Sequence, residues 1–301
     1  ERRETLRYYS TMAKTVLKQR EDALHASMSP AREKVMADKK ILLFQMMCEH
    51  ADYLDPELPS LLASGAKLTG VAPDCAAFPP RRTEPLITDV QLMRSAKWTR
   101  RVALSKQGGS SDPATDREVW DATCEELKRS WLSGPFTEAE LSVVLGSLFI
   151  VSRRFGIPQG GKVRPVDDLS ASLVNSAFGA SFKVDLGGVD EIAVMSRAFL
   201  EAINDDRTVT FKLSDGSVLS SKLHPTISLT QARDLVGRTL DLEAAYKQVS
   251  VADSSRWTAA LSIFNPVLGC NQLFVAEVLP FGATAAVYAF NRLARALRVV
   301  G

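Results

Sequence analysis

The chain has 301 residues, with 37 Lys and Arg against 35 Asp and Glu, giving a formal net charge of +2. That length supports a sizeable core and leaves room for two domains, and 46% apolar with 24% charged residues is ordinary for a globular protein. The near balance of charge excludes a global basic field, so any nucleic-acid surface must be a local cluster.

Residues 1–55 read as two helices. The first is charge-rich and passes through Tyr8, Met12, Val16 and Leu17. Ser29-Pro30 opens the second, Ser as N-cap and Pro at the first helical position. Val35, Ile41, Leu42, Met46 and Cys48 form its apolar face, and His50 near its end suits the helix dipole when protonated. Residues 56–117 are rich in Pro, Gly and Ser, interrupted by a short helix around Asp89–Lys97. Here Arg81-Arg82, Arg94 and Lys97-Trp98-Thr99-Arg100-Arg101 interleave cations with an aromatic. Such a cluster can track phosphates and stack a base. The plainer expectation is a solvated helix face with one packed Trp. Gly108–Pro113 is the best linker, which divides the chain into 1–114, helical and loop-rich, and 115–301.

From there helices and hairpins alternate. A helix over Val119–Trp131 precedes a hairpin over about Leu148–Val166, turned by Pro158-Gln159-Gly160-Gly161. Lys162 and Arg164, two apart on its return strand, share a face. They suit either a bound triphosphate or a basic edge that discourages strand pairing. A helix over Asp190–Ala202, a hairpin from Thr208 around Asp215-Gly216, and a helix near Ser228–Val236 follow. An apolar, strand-like run then carries Asp241 within Leu240-Asp241-Leu242, with Tyr246 five positions after the carboxylate. A lone carboxylate at a buried strand end needs a partner or a metal. Further on, Leu279-Pro280-Phe281-Gly282 feeds a helix of small residues that includes Tyr288, Phe290 and Arg292. The mixture of hairpins and helices predicts an α+β fold.

Three segments in order, Lys162-x-Arg164-Pro165-x-x-Asp168, Leu240-Asp241-Leu242-x-x-Ala245-Tyr246-x-Gln248, and Leu279-Pro280-Phe281-Gly282 with Phe290 eight residues after the Gly, resemble a reverse transcriptase of the retrotransposon type. The likeness spans roughly Glu118 to Gly301, and no single motif carries it alone. Ser133-Gly134-Pro135-Phe136 and the Arg256–Leu261 stretch, expected as a strand, fit the same order. The resemblance implies the fingers and part of the palm of a right-hand polymerase, without a thumb, preceded by the helical N-terminal region. It implies RNA-directed DNA synthesis on a primer 3′-OH with Mg2+, an RNA template, a DNA or RNA primer and deoxynucleoside triphosphates. Asp241 matches the first catalytic aspartate, binding metal together with the Leu242 carbonyl. Tyr246 matches the gate that excludes a 2′-hydroxyl, and Lys162 and Arg164 the cations on the β- and γ-phosphates. Phe281 and Gly282 match the turn lining the nucleotide pocket, and Ala283, Thr284, Phe290 and Arg292 the template helix. Asp168 matches a carboxylate paired with a nearby cation.

The family's second carboxylate motif, an aromatic followed by a pair of aspartates, has no counterpart here, because no Asp or Glu follows Glu277. With a start at Glu1 rather than Met, the expectation is a piece of a longer frame that is inactive by itself. A repurposed remnant that binds nucleic acid or a protein partner is the alternative, and an RNA-directed RNA polymerase fits Tyr246 less well. Cys48, Cys75, Cys124 and Cys270 have neither metal-ligand nor disulfide spacing, which suggests an intracellular, reducing compartment. No apolar run approaches the ~20 residues needed to cross a bilayer.

Overall fold

The computed structural model describes residues 2–106, 108–236 and 241–300. The chain is mixed α+β and divides into two compact units, Glu1–Val184 with Ala244–Gly301, and Asp185–Glu243. Among the described residues, no helix is long and apolar enough to cross a membrane.

The first unit begins with four helices, α1 (Arg2–Lys14), α2 (Lys18–Ala26), α3 (Pro30–Met36) and α4 (Ile41–His50), where the sequence suggests two. A tertiary cap explains the break before α4. Glu21 of α2 is buried and accepts the N–H groups of Ile41 at 2.7 Å and Leu42 at 3.0 Å. These are open amides of the first turn of α4, which no local side chain satisfies. Ser29 does sit at the N-cap of α3, but its hydroxyl donates to Asp253 Oδ1 at 2.8 Å instead of capping the helix.

Next come α5 (Leu58–Ser64), β1 (Gly70–Ala72), β2 (Pro80–Thr83) and α6 (Asp89–Ser105). Helix α6 runs eight residues beyond its expected end at Lys97. Asp112, expected in a linker, caps α7 (Pro113–Lys128) by accepting the N–H groups of Ala114 and Thr115. Strand β3 (Leu132–Phe136), α8 (Glu138–Leu145) and the hairpin β4 (Val151–Gln159) and β5 (Lys162–Asp167) follow. The hairpin is the one its turn chemistry predicts. Gly160 and Gly161 both take positive φ, +60° and +78°, as a two-residue turn matched to strand twist requires. Strand β6 (Phe178–Phe182) pairs with β1 and β2 in a small sheet.

In the second unit, α9 (Val189–Ala202), the hairpin β7 (Thr208–Lys212) and β8 (Val218–Lys222), and α10 (Leu229–Arg233) follow in order. The rings of Phe199 and Phe211 lie 6.3 Å apart and join α9 to β7. Ser228 and Gln231 form a reciprocal capping box on α10, which ends at Arg233 instead of continuing to Val236. The expected strand at Asp241 is absent from the described residues. Asp241 and Leu242 have irregular backbone without a ladder partner, and Leu240 lies outside the described residues. An apolar-Asp-apolar triplet fits a strand and an irregular segment equally, and only pairing decides between them.

The first unit closes with β9 (Ala260–Asn265), β10 (Cys270–Ala276) and α11 (Thr284–Val300). Within Arg256–Leu261, expected as strand throughout, residues to Thr258 instead belong to a 3-10 turn and the strand starts at Ala260. The main sheet has the order β3-β10-β9-β4-β5, antiparallel except for the parallel pair β4 and β9. Phe149, Ile150, Leu261, Ile263 and Phe274 are fully buried around it, each contributing about 1.5–3 kcal/mol by leaving water. Ala285, Ala286, Ala289 and Ala296 are buried on α11, so small side chains let this helix pack closely. Met36, Leu58, Leu68 and Leu92 share one apolar cluster with Leu261, Val278 and Ala286. The boundary expected near residue 115 is therefore not a boundary between compact bodies. The helical N-terminal region and the main sheet bury each other's apolar faces.

Candidate functional site

The hairpin β4–β5, the end of α7, the turn before α11 and a 3-10 turn over Ala245–Gln248 surround a cavity of about 420 Å3 in the first unit. Its lining includes Trp131, Arg164, Tyr246, Lys247, Phe281 and Phe290, together with Glu126. Four of these were expected at a nucleotide or template site, and they come from three separate segments of sequence. Tyr246 is central. Its ring centroid lies 5.7 Å from Phe281 and 5.4 Å from Phe290, the latter edge-on at 85°. The geometry forms an aromatic corner suited to a planar or ring-shaped ligand. Ala244, in the left-handed conformation at φ +52°, turns the backbone immediately before this segment.

Phe281 is held by a clamp that has no local signature in the chain. The Asn175 side-chain amide donates to the Gly282 carbonyl at 2.9 Å, and its oxygen accepts the Thr284 N–H at 2.8 Å. The Phe281 carbonyl in turn accepts the Asp167 N–H at 2.7 Å. Gly282 has φ +122°, and a Cβ there would lie 2.2 Å from the Asp167 carbonyl oxygen. The Pro-Phe-Gly turn thus requires glycine because the hairpin backbone passes against it.

Beneath the cavity runs a buried ionic chain. Arg154 on β4 donates Nε to Asp167 Oδ1 at 2.7 Å and a terminal nitrogen to Glu126 Oε2 at 2.8 Å. Lys247 Nζ lies 3.0 Å from the other oxygen of Glu126, close enough for an ion pair but not aligned as a hydrogen bond. Two carboxylates and two cations balance. Burial alone would push the Glu126 carboxyl up, but the charges of Arg154 and Lys247 outweigh it and hold it below the ordinary carboxylate range. The Arg154 guanidinium, although desolvated, is pushed further up by Asp167 and Glu126 and stays charged.

Other expected site residues fall elsewhere. Lys162 and Arg164 are both exposed on one face of β5, but only Arg164 lines the cavity. The carboxylate that pairs with a cation is Asp167, whereas Asp168 accepts the Ala171 N–H at 2.9 Å and closes a turn. Ala283 is buried in the core, and Thr284 is half-buried with its amide taken by Asn175. Arg292, expected on a template, is 2% exposed and bonded through two nitrogens to Asp55 at 2.6 and 2.7 Å. Its charge is compensated inside the protein, so in this arrangement it serves packing. Asp241 is exposed and Leu242 half-buried, both in the second unit.

No protein-family model matches the chain, and no curated protein matches it.

Among the described residues, no group of three or more His, Cys, Asp or Glu side chains gathers where a metal could bind. Asp241 with one backbone carbonyl offers too few anionic oxygens for two divalent cations. The described donors therefore do not make up a magnesium site. All four cysteines are free, and burial pushes the thiols of Cys48 and Cys75 up to about 11.

Proposed function

We propose that this chain is the fingers and part of the palm of a retroelement-type RNA-directed DNA polymerase, with its aromatic cavity taking the incoming deoxynucleotide. The observation that carries the reading is the convergence of Arg164, Tyr246, Phe281 and Phe290 on one cavity from the three segments that carry the resemblance. The chemistry of the lining agrees with it. A base or sugar packs on Tyr246 and Phe281, while Arg164, an exposed planar fork on the hairpin, takes a phosphate bidentately. Tyr246 beside the sugar fills the space that a 2′-hydroxyl needs. Bond formation at a primer 3′-OH requires carboxylates in addition to Asp241, so in this reading the 301-residue chain binds nucleotide without incorporating it.

The alternative is a non-catalytic remnant that binds nucleic acid or a protein partner, and nucleotide binding separates the two. Titration of the purified chain with a deoxynucleoside triphosphate, followed through Trp fluorescence (Trp131 lines the cavity), should give saturable binding that Phe281→Ala weakens at least several-fold. Absence of saturable binding at millimolar nucleotide would sink the polymerase reading.

A further inference from the structure

We infer that one face of α6, formed by Arg94, Lys97, Trp98 and Arg101, is a binding surface for single-stranded nucleic acid. Phosphates would lie on the three cations and a base would stack on the Trp98 indole. The inference does not depend on the cavity and holds whether or not the chain is a polymerase.

The four residues follow a spacing of i, i+3, i+4 and i+7, which places them on one stripe of a helix. All four are exposed, Trp98 at 63%. The opposite stripe of Leu92, Ala96, Thr99 and Ala103 is buried and fixes the orientation of the helix. Neither Arg94, Lys97 nor Arg101 forms an ion pair among the described residues, although many exposed cations of this chain do. Lys97 and Arg101, four apart, repel one another on the helix. The only acidic residue of α6, Asp89, is in its first turn and off this stripe.

A solitary exposed aromatic is common and means little. The neighbouring Arg100 makes this one different. Arg100 is 8% exposed, lies 4.2 Å over the Phe149 ring, donates to the carbonyls of Ser147 and Phe149, and pairs through Nε with Glu138 at 2.8 Å. The helix therefore buries a compensated guanidinium and leaves an indole in water, and only the exposed indole runs against transfer free energies. A packed Trp was the plainer expectation here, and the structure overturns it.

An indole flanked by unpaired cations matches an unpaired strand, which offers both a free base face and a regular row of phosphates. A duplex offers the phosphates but keeps its base faces stacked. A membrane surface fits poorly, because interfacial helices insert an apolar face and the apolar face of α6 is inside the protein.

The test is fluorescence anisotropy of the full chain with a labelled single-stranded oligonucleotide of about 15 nucleotides, at several salt concentrations. Trp98→Ala should weaken binding about tenfold, with Trp98→Phe retaining most of the affinity. The triple variant Arg94→Gln, Lys97→Gln, Arg101→Gln should make the log–log salt slope shallower by about 2, as expected for three phosphates on a single strand. All of these side chains are exposed, and matching far-UV circular dichroism verifies the fold. The readout contains no nucleoside triphosphate, so the cavity reading can fail while this one stands. The inference is overturned if the parent chain binds no single strand, or if both variants bind like the parent. It is equally overturned if Trp98→Ala weakens a duplex as much as a single strand, or if anionic phosphatidylserine vesicles bind this face and the oligonucleotide does not.

Discussion

Arg164 and Tyr246 line one cavity although the hairpin and the turn that carry them are remote in sequence. Motif order made these two residues and Phe281 legible, because each motif presents an aromatic or cationic side chain beside a turn. Glu126 and Lys247, on the same cavity, were not legible. Their positions follow from charges paired across the fold, and an ion pair between distant residues leaves no local pattern. Trp98 and Arg100 show the same limit from the other side, since residue type alone does not say that the Arg is buried and the Trp exposed. At this scale the account predicts that Arg164→Ala weakens deoxynucleoside triphosphate binding about thirtyfold, through loss of a charge-assisted contact worth about 2 kcal/mol. Lys162→Ala, on the same strand face but away from the cavity lining, should cost distinctly less in the same titration. Equal effects would show that the two cations act as one electrostatic patch and that cavity position does not matter.

Among the elements, the hairpin β4–β5 and the helix after Pro280-Phe281-Gly282 were readable because turn chemistry and small residues are local signals. The break before α4 was not, since the carboxylate that caps it comes from α2. The strand expected at Asp241 rested on a triplet with no partner in view. What fixes the hairpin to α7 is Arg154, whose side chain is 1% exposed between Asp167 and Glu126. Arg154→Met should destabilise the chain by about 3–5 kcal/mol, because it leaves buried carboxylates without their shared cation. Urea unfolding measures it, and a loss below about 1 kcal/mol would mean that water already screens the pair. The sign of the pH effect follows from Glu126. Its folded value is depressed, so its contribution is fully present above the ordinary carboxylate range and is lost as pH falls through the folded value. Glu126→Gln should therefore flatten the acid side of the stability profile while lowering stability at neutral pH.

For the whole molecule, the shared cluster that joins Met36, Leu58 and Leu92 to Leu261 and Val278 makes the N-terminal helices part of the body that carries the cavity. Composition placed a boundary in the Gly- and Ser-rich stretch near residue 115, but loop composition reports local backbone freedom and not which faces are buried. A chain of residues 115–301 should consequently lack a cooperative thermal transition, whereas the full chain has one. A sharp transition in the short chain would restore the boundary. Comparing deoxy- and ribonucleoside triphosphate affinities for the parent chain and for Tyr246→Ala decides whether the aromatic cavity reads the sugar of a nucleotide. The parent should prefer the deoxynucleotide, and the variant should lose at least about tenfold of that preference through tighter ribonucleotide binding. A preference that is the same in both proteins would contradict it.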